Sequence, residues 1–406
     1  MVDTTVGLGL VGAGGSFGAF IESALRDVEG AELVAIADVN AKALEQAKQT
    51  LGVERAYTDW RQLADDPNVH AVIVASPPFT QYEIANGILQ RGKALFLEKP
   101  GSIHLDDLQA LVDLQRSRQV PATIDYVMRW NPLLDVVRQV RQGQWLGELR
   151  SVQFVNYAQD EVLPPQHWFW DREKSGGIFI EHGVHFFDLY GELAGTPPKD
   201  VVATRSVRDE AAPGGRIDQV DCAVLHDNGI VCAYFHAFNR PKALERQQAV
   251  LTFDRGFMTV HGWVADAVEL DGWVDQAAAE ALSGLPHLIQ HSVQPFDRDL
   301  HGRDVTWHAA SKVSLRFALP YDRDESYRRQ VARGLSDLIQ RLHDPQHTQR
   351  VTLTDALRSL AVACVATGSA TIAQARDVYA RYPVEGTPAS RTFPFTAVIP
   401  GSYTLQ

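Results

Sequence analysis

The first 124 residues alternate short apolar runs with stretches of helical composition. Val6–Val11 is apolar and ends in a cluster of glycines. Phe20, Ile21, Ala24, Leu25 and Val28 then recur at the helix period. Residues 33–37 form a second buried-strand run, followed by Ala41–Leu51, rich in Ala, Lys, Glu, Gln and Leu and so predicted helical. The theme repeats in runs 69–75 and Ala94–Leu97, with helices expected over 83–90 and 105–114, and Ile124 closes the region. Continuous apolar strands separated by helices predict a parallel sheet covered on both faces.

After residue 124 the pattern changes. Runs 150–157, 201–207, 220–226, 230–238 and 249–260 follow one another with little helix between. Turn signals join them at Gly195-Thr-Pro-Pro, Pro213-Gly-Gly, Asp227-Asn-Gly and Asp254-Arg-Gly. This meander predicts a mostly antiparallel sheet with one solvated face. Residues 274–289 carry helical spacing, and 326–342 and 354–379 read as two amphipathic helices. Two domains follow, over residues 1–124 and 125–406.

Composition narrows the class. The 406 residues are 45% hydrophobic and 22% charged, which excludes wholesale disorder. A net charge of −12 with no basic patch excludes nucleic-acid and anionic-membrane binding. Cys222, Cys232 and Cys364 are scattered without a C-x-x-C pair, against a disulfide framework or a thiolate zinc site. No apolar segment is long enough to span a bilayer and the N-terminus lacks a signal-peptide pattern, so a cytoplasmic protein is expected.

Gly12-Ala-Gly14-Gly15-Ser16-Phe17-Gly18 lies between a strand and a helix, the context in which glycines cradle a pyrophosphate. Phe17 takes the third glycine position and Gly18 arrives one residue late. Asp38, at the end of the second strand, is placed to bind ribose hydroxyls and disfavours a 2′-phosphate. NAD is therefore the expected coenzyme, with NADP the alternative. The bland reading is an ordinary strand–helix turn with Asp38 as a helix cap.

Glu98-Lys99-Pro100 follows the Ala94–Leu97 strand, at the sheet edge where ligands bind in open α/β folds. A partly desolvated lysine there serves as a proton donor or acceptor. Further on, Gly176-Gly-Ile-Phe-Ile-Glu181-His182-Gly183-Val184-His185 gathers a carboxylate and two imidazoles within five residues.

With these motifs, Ala75-Ser76-Pro77-Pro78, and Arg129 with Pro132, the chain resembles the glucose–fructose oxidoreductase/inositol dehydrogenase/rhizopine-catabolism (Gfo/Idh/MocA) family over most of residues 5–260. The resemblance implies an N-terminal Rossmann domain with a doubly wound parallel sheet. It also implies a C-terminal α+β domain whose large, mostly antiparallel open sheet builds a homodimer or homotetramer. The implied reaction moves hydride between NAD(P) and a hydroxyl or carbonyl of a sugar, cyclitol or related polyol. Lys99 and His185 match the family's catalytic lysine and histidine, and Glu181 stands where the family usually has aspartate. On this reading Gly12, Gly14, Ser16, Phe17 and Asp38 hold the coenzyme with Ser76, Pro77, Gln81, Glu98 and Lys99. Gln81 replaces a usual histidine near the nicotinamide. Glu181 orients the reacting groups, and Arg129, Trp168, Trp170 and His182 face substrate.

Each assignment has a structural rival. Lys99 reads also as a solvated loop lysine, His185 as a core histidine, and His182 as packing. Trp168 and Trp170 read equally as sugar platforms or as core, and Tyr126 and Arg129 as domain-junction residues. Glu181, His182 and His185 as metal ligands is set aside, since H-x-x-H around Gly183 lacks the usual zinc spacing. His287 and His291, four apart on the expected 274–289 helix, read as surface residues. Two further functions share the scaffold: an NAD-dependent redox-assisted glycosidase, and a non-catalytic NAD-binding regulator.

Overall fold

The computed structural model describes residues 5–209, 216–302 and 305–384; the Pro213-Gly-Gly turn lies outside them. Six parallel strands form the first sheet: β1 (Val6–Val11), β2 (Ala31–Ala37), β3 (Arg55–Tyr57), β4 (Ala71–Val74), β5 (Ala94–Leu97) and β6 (Ala122–Ile124). Their order is β3-β2-β1-β4-β5-β6, so the winding reverses between β1 and β4 and opens a crevice at their carboxyl ends. Leu8, Leu10, Val72, Ile73, Leu95 and Phe96 are buried, as strands covered on both faces require. The connecting helices are α1 (Ser16–Leu25), α2 (Ala41–Leu51), α3 (Trp60–Asp65), α4 (Pro78–Gln90) and α5 (Leu105–Arg118). The short β3 and α3 carry too little periodicity to announce themselves in sequence.

The second sheet has nine strands: β7 (Leu149–Gln159), β8 (Pro198–Asp209), β9 (Arg216–His226), β10 (Val231–Arg240), β11 (Arg246–Phe253), β12 (Gly256–His261), β13 (Ala267–Val274), β14 (Leu288–His301) and β15 (Thr306–Ala318). Only β7 and β10 pair in parallel, so the sheet is mostly antiparallel. One face is covered. Phe154 of β7 stacks on Phe186 at 3.8 Å, and Tyr234 of β10 meets Phe187 at 4.7 Å. Both phenylalanines belong to α8 (Val184–Ala194), which follows α6 (Pro132–Gln142), α7 (Arg172–Ser175) and a π-helical turn at Phe179–Gly183. The opposite face stays half-exposed along β9, where Asp218, Val220, Cys222 and Val224 point inward and their neighbours outward.

Two expected helices are corrected. Residues 274–289 are not one helix: α9 spans only Gln276–Ser283, started by Asp275, whose carboxylate accepts the Ala278 N–H. Val274 ends β13, His287 takes a positive φ of 65° in the turn, and His291 lies on β14. Val274, Ala278, Leu282 and Leu285 are all buried, so their helix-like spacing records a shared core face rather than a shared conformation. The 354–379 stretch is likewise two helices, α11 (Leu353–Thr367) and α12 (Ile372–Arg381). Gly368 ends the first in a left-handed cap, and Thr371 with Gln374 boxes the start of the second.

The last helices return to the first sheet. α10 (Arg323–His343) anchors on α1 through Arg328, which donates to the Ser23 carbonyl and to Asp27. Thr123 of β6 donates to the Val351 carbonyl, and Tyr126 bonds Ser359 of α11. No helix among the described residues is long and apolar enough to cross a membrane.

Candidate active site

The crevice at the ends of β1 and β4 is shaped for close approach. Gly12 adopts φ +88°, and a Cβ there would lie 2.6 Å from the Ala75 carbonyl oxygen. A Cβ on Gly14 would lie 2.5 Å from that of Ala43. Asp38 follows β2; its carboxylate accepts the Gly14 N–H at 2.9 Å and the Asn40 N–H at 2.8 Å, and so clamps the turn. Ser76 follows β4 with its hydroxyl buried and without a protein partner. Backbone that only glycine allows, a carboxylate one strand over and an unpartnered buried hydroxyl fit a dinucleotide. Ser16 and Phe17 begin α1, and their side chains lie outside the described ones.

Pro77 caps the start of α4, and Gln81 on its first turns is 1% exposed. Its amide donates to the Ser76 and Lys99 carbonyls, both at 3.0 Å, while its oxygen accepts the Gly101 N–H at 2.8 Å. Gln81 was expected to touch the nicotinamide; its polar atoms instead staple the Ser76 and Lys99 loops together, fixing two segments that a histidine could not bridge in the same way.

Lys99 extends from the end of β5 across to the second half. Its Nζ donates to the Glu181 carbonyl at 2.8 Å and to Glu181 Oε1 at 2.5 Å. Glu181, expected to orient the reacting groups, holds the lysine. His182 and His185 follow on the same turn, rings 6.2 Å apart. Burial pushes His182 down to about 3 and His185 well below the ordinary imidazole range, with the Lys99 charge acting in the same direction. Both are neutral near pH 7, the form that accepts a proton. His185 Nδ1 and His182 Nε2 have no partner among the described residues. His182 also packs among Phe186, His236 and Phe238.

Other expected substrate residues lie elsewhere. Arg129 sits in an ion cluster: its Nε and Nη2 donate to Asp188 at 2.6 and 2.8 Å, and its guanidinium also pairs with Glu192 and Asp355. A buried guanidinium needs several carboxyl partners, and α8 and α11 supply them. Trp170 donates to the Leu163 carbonyl and lines a cavity of about 310 Å³ with Phe169, Ile178 and Phe179. None of Lys99, Glu181, His182 or His185 lines that cavity. Trp168 lies half-buried against His167.

Two residues escaped the sequence reading. Asp125 stands directly after β6 and is 2% exposed. The rule that singled out Glu98 and Lys99, polar groups at a strand's carboxyl end, applies to it equally. His236 of β10 is fully buried with neither ring nitrogen partnered, and a lone histidine in a strand gives no signal.

Comparison with known proteins bears on the lineage of the chain. Residues 6–126 match the family described as "Oxidoreductase family, NAD-binding Rossmann fold", and residues 135–259 match the "GFO/IDH/MocA C-terminal domain"; together these cover more than half the chain. The chain is 30% identical over 219 residues to myo-inositol 2-dehydrogenase of Thermotoga maritima, covering 54% of this chain and 63% of that protein. Among solved structures, an Agrobacterium radiobacter oxidoreductase in complex with NAD+, L-tartaric acid and magnesium superposes with a TM-score of 0.69. Its sequence is 18% identical, over 90% of this chain and 96% of that one. Levoglucosan dehydrogenase in complex with NADH and levoglucosan gives 0.71 at 17% identity, over 91% and 98%. At such identities the structural likeness speaks for the fold, whereas the two matched domains decide the lineage: the chain belongs to the Gfo/Idh/MocA family of NAD-binding oxidoreductases.

Proposed function

We propose that this protein is an NAD-dependent dehydrogenase or reductase acting on a CH–OH group of a sugar, cyclitol or related polyol. The observation that carries the reading is the Lys99–Glu181 contact. It joins the carboxyl end of β5 to the π-helical turn of the second half and leaves a proton-transfer group at the mouth of the nucleotide crevice. The myo-inositol dehydrogenase relative and the levoglucosan complex support the substrate class.

Bound coenzyme supplies the hydride acceptor or donor. Lys99 holds the reacting oxygen through its ammonium and stabilises charge that develops there. His185, neutral and with a free ring nitrogen, takes the hydroxyl proton or returns it in reduction. Glu181 keeps the ammonium aimed. Asp38 favours NAD over NADP, because a 2′-phosphate would meet its carboxylate.

The half-exposed face of the nine-stranded sheet, with Phe257, Val202 and Val231 outward, supports a homodimer or homotetramer built through it. Three free, buried cysteines fit a reducing compartment such as the cytoplasm.

The test is a panel of inositols, aldoses and anhydrosugars with NAD+, and of keto-sugars with NADH, followed by absorbance of the reduced coenzyme. Coenzyme turnover with a CH–OH substrate is expected. Calorimetry detecting affinity for neither NAD+ nor NADP+ would overturn the reading.

A further inference from the structure

Glu98 and Asp125 directly follow the adjacent strands β5 and β6. Leu97 pairs with Ile124, and the Asp125 N–H donates to the Leu97 carbonyl at 2.8 Å. The register therefore sets the two residues side by side at the carboxyl edge of the sheet. Two ionised carboxylates offer only acceptors and repel, so buried side by side they are held together by a proton shared between them. Asp125 is almost wholly buried, and its Oδ1 has no hydrogen-bond partner among the described residues. The groups facing the pair are Lys99 from the next residue, Glu181 from the π-helical turn and Tyr327 from α10. Burial, then the Glu98 charge, pushes Asp125 well above the carboxylate range; burial raises Glu98 while Lys99 opposes it.

The charges around Lys99 do not cancel. Its ammonium is matched by Glu181, and His182 and His185 are neutral. A pair that shares one proton adds one uncompensated negative charge. Oxidised nicotinamide carries a positive ring, whereas the reduced ring is neutral. We propose that the Glu98–Asp125 pair holds one proton and one negative charge beside the nicotinamide subsite, and that this charge makes the protein prefer the oxidised coenzyme over the reduced one. The proposal rests on the coenzyme reading above and adds to it a determinant of which redox form is retained.

The experiment measures Kd for NAD+ and for NADH by calorimetry on the full chain, from about pH 6 to about pH 9, a range that spans raised carboxyl ionisations. In the wild type the preference for NAD+ grows as pH rises, because loss of the shared proton adds a second negative charge. Binding of NAD+, but not of NADH, also expels part of that proton, which is read from buffers of different ionisation enthalpy. Asp125→Asn leaves Glu98 ionised beside an amide donor, so it keeps the preference at neutral pH and loses its pH dependence. The double variant Glu98→Gln/Asp125→Asn removes the charge and shifts the affinity ratio toward NADH by about tenfold, the scale of one nearby partly screened charge. A purely structural pair would weaken both coenzymes alike and leave the ratio unchanged. An unchanged ratio in the double variant, or an unchanged pH dependence in Asp125→Asn, overturns the proposal. Absence of binding by the wild type overturns the coenzyme reading itself, so the two failures are distinct.

Discussion

Two charge clusters draw on the residues 179–194 segment, and they are built on opposite terms. Around Arg129 every charge is answered. Asp188, Glu192 and Asp355 surround it, Arg138 shares Glu192, and Arg358 shares Asp355. Around Lys99 polar atoms are left over: Ser76 Oγ, Asp125 Oδ1, His182 Nε2 and His185 Nδ1 have no partner. Burial of polar groups without partners costs free energy, and a fold tolerates that cost where a ligand supplies the missing contacts. The contrast separates a joint from a site using the same residue types. Arg129 ties α8 and α11 together within the second half, whereas Lys99, held by Glu181, stands among unpartnered polar atoms.

The sharpest way to break this contrast is to exchange what each cluster loses. Lys99→Met is expected to cut turnover by ~10²–10⁴, the range for a positioned acid–base group, while coenzyme still binds. Single-turnover hydride transfer measures it, and near-normal rates would move Lys99 into the structural class. Arg129→Ala is expected to cost ~3–5 kcal/mol in urea unfolding, because buried Asp188 loses its cation while Glu192 and Asp355 keep Arg138 and Arg358. A loss under ~1 kcal/mol would mean that the joint is not held by its charges.

The smallest effect concerns His236, which belongs to neither cluster. Burial holds its pKa well below the ordinary value of 6.5. Below about pH 6.5 the unfolded chain binds a proton that the folded one refuses, so stability falls as pH drops through that value. His236→Leu removes one such proton and flattens the acid-side slope by ~1.4 kcal/mol per pH unit. At neutral pH it leaves stability equal or improved, since two unpartnered ring nitrogens go with it. Urea unfolding at several pH values checks both. An unchanged slope would show that the imidazole is already satisfied, by water for example.

Much of this was readable before any coordinates. Apolar runs gave β1, β4 and β5 because strands buried on both faces leave a continuous signature. The expected helix over residues 274–289 failed for the same reason that made it attractive. A core face recruits apolar residues at matching intervals whether the chain is helix, turn or strand, and Asp275 and Gly284 mark the true limits. At the site, Glu98-Lys99 and Glu181-x-x-x-His185 stood out by local density. Asp125 and His236 did not, since single polar residues after or within a strand are common.

Local features of this protein were determined by sequence alone: the glycine turn, the carboxylate after β2, the lysine after β5 and the histidine-bearing turn all follow from short-range backbone geometry. Which groups meet was decided only by the tertiary structure. Glu181 reaches Lys99 across 82 positions and Arg129 reaches Asp355 across 226. Contacts at such separations depend on how two sheets and three returning helices pack, and no local spacing encodes that.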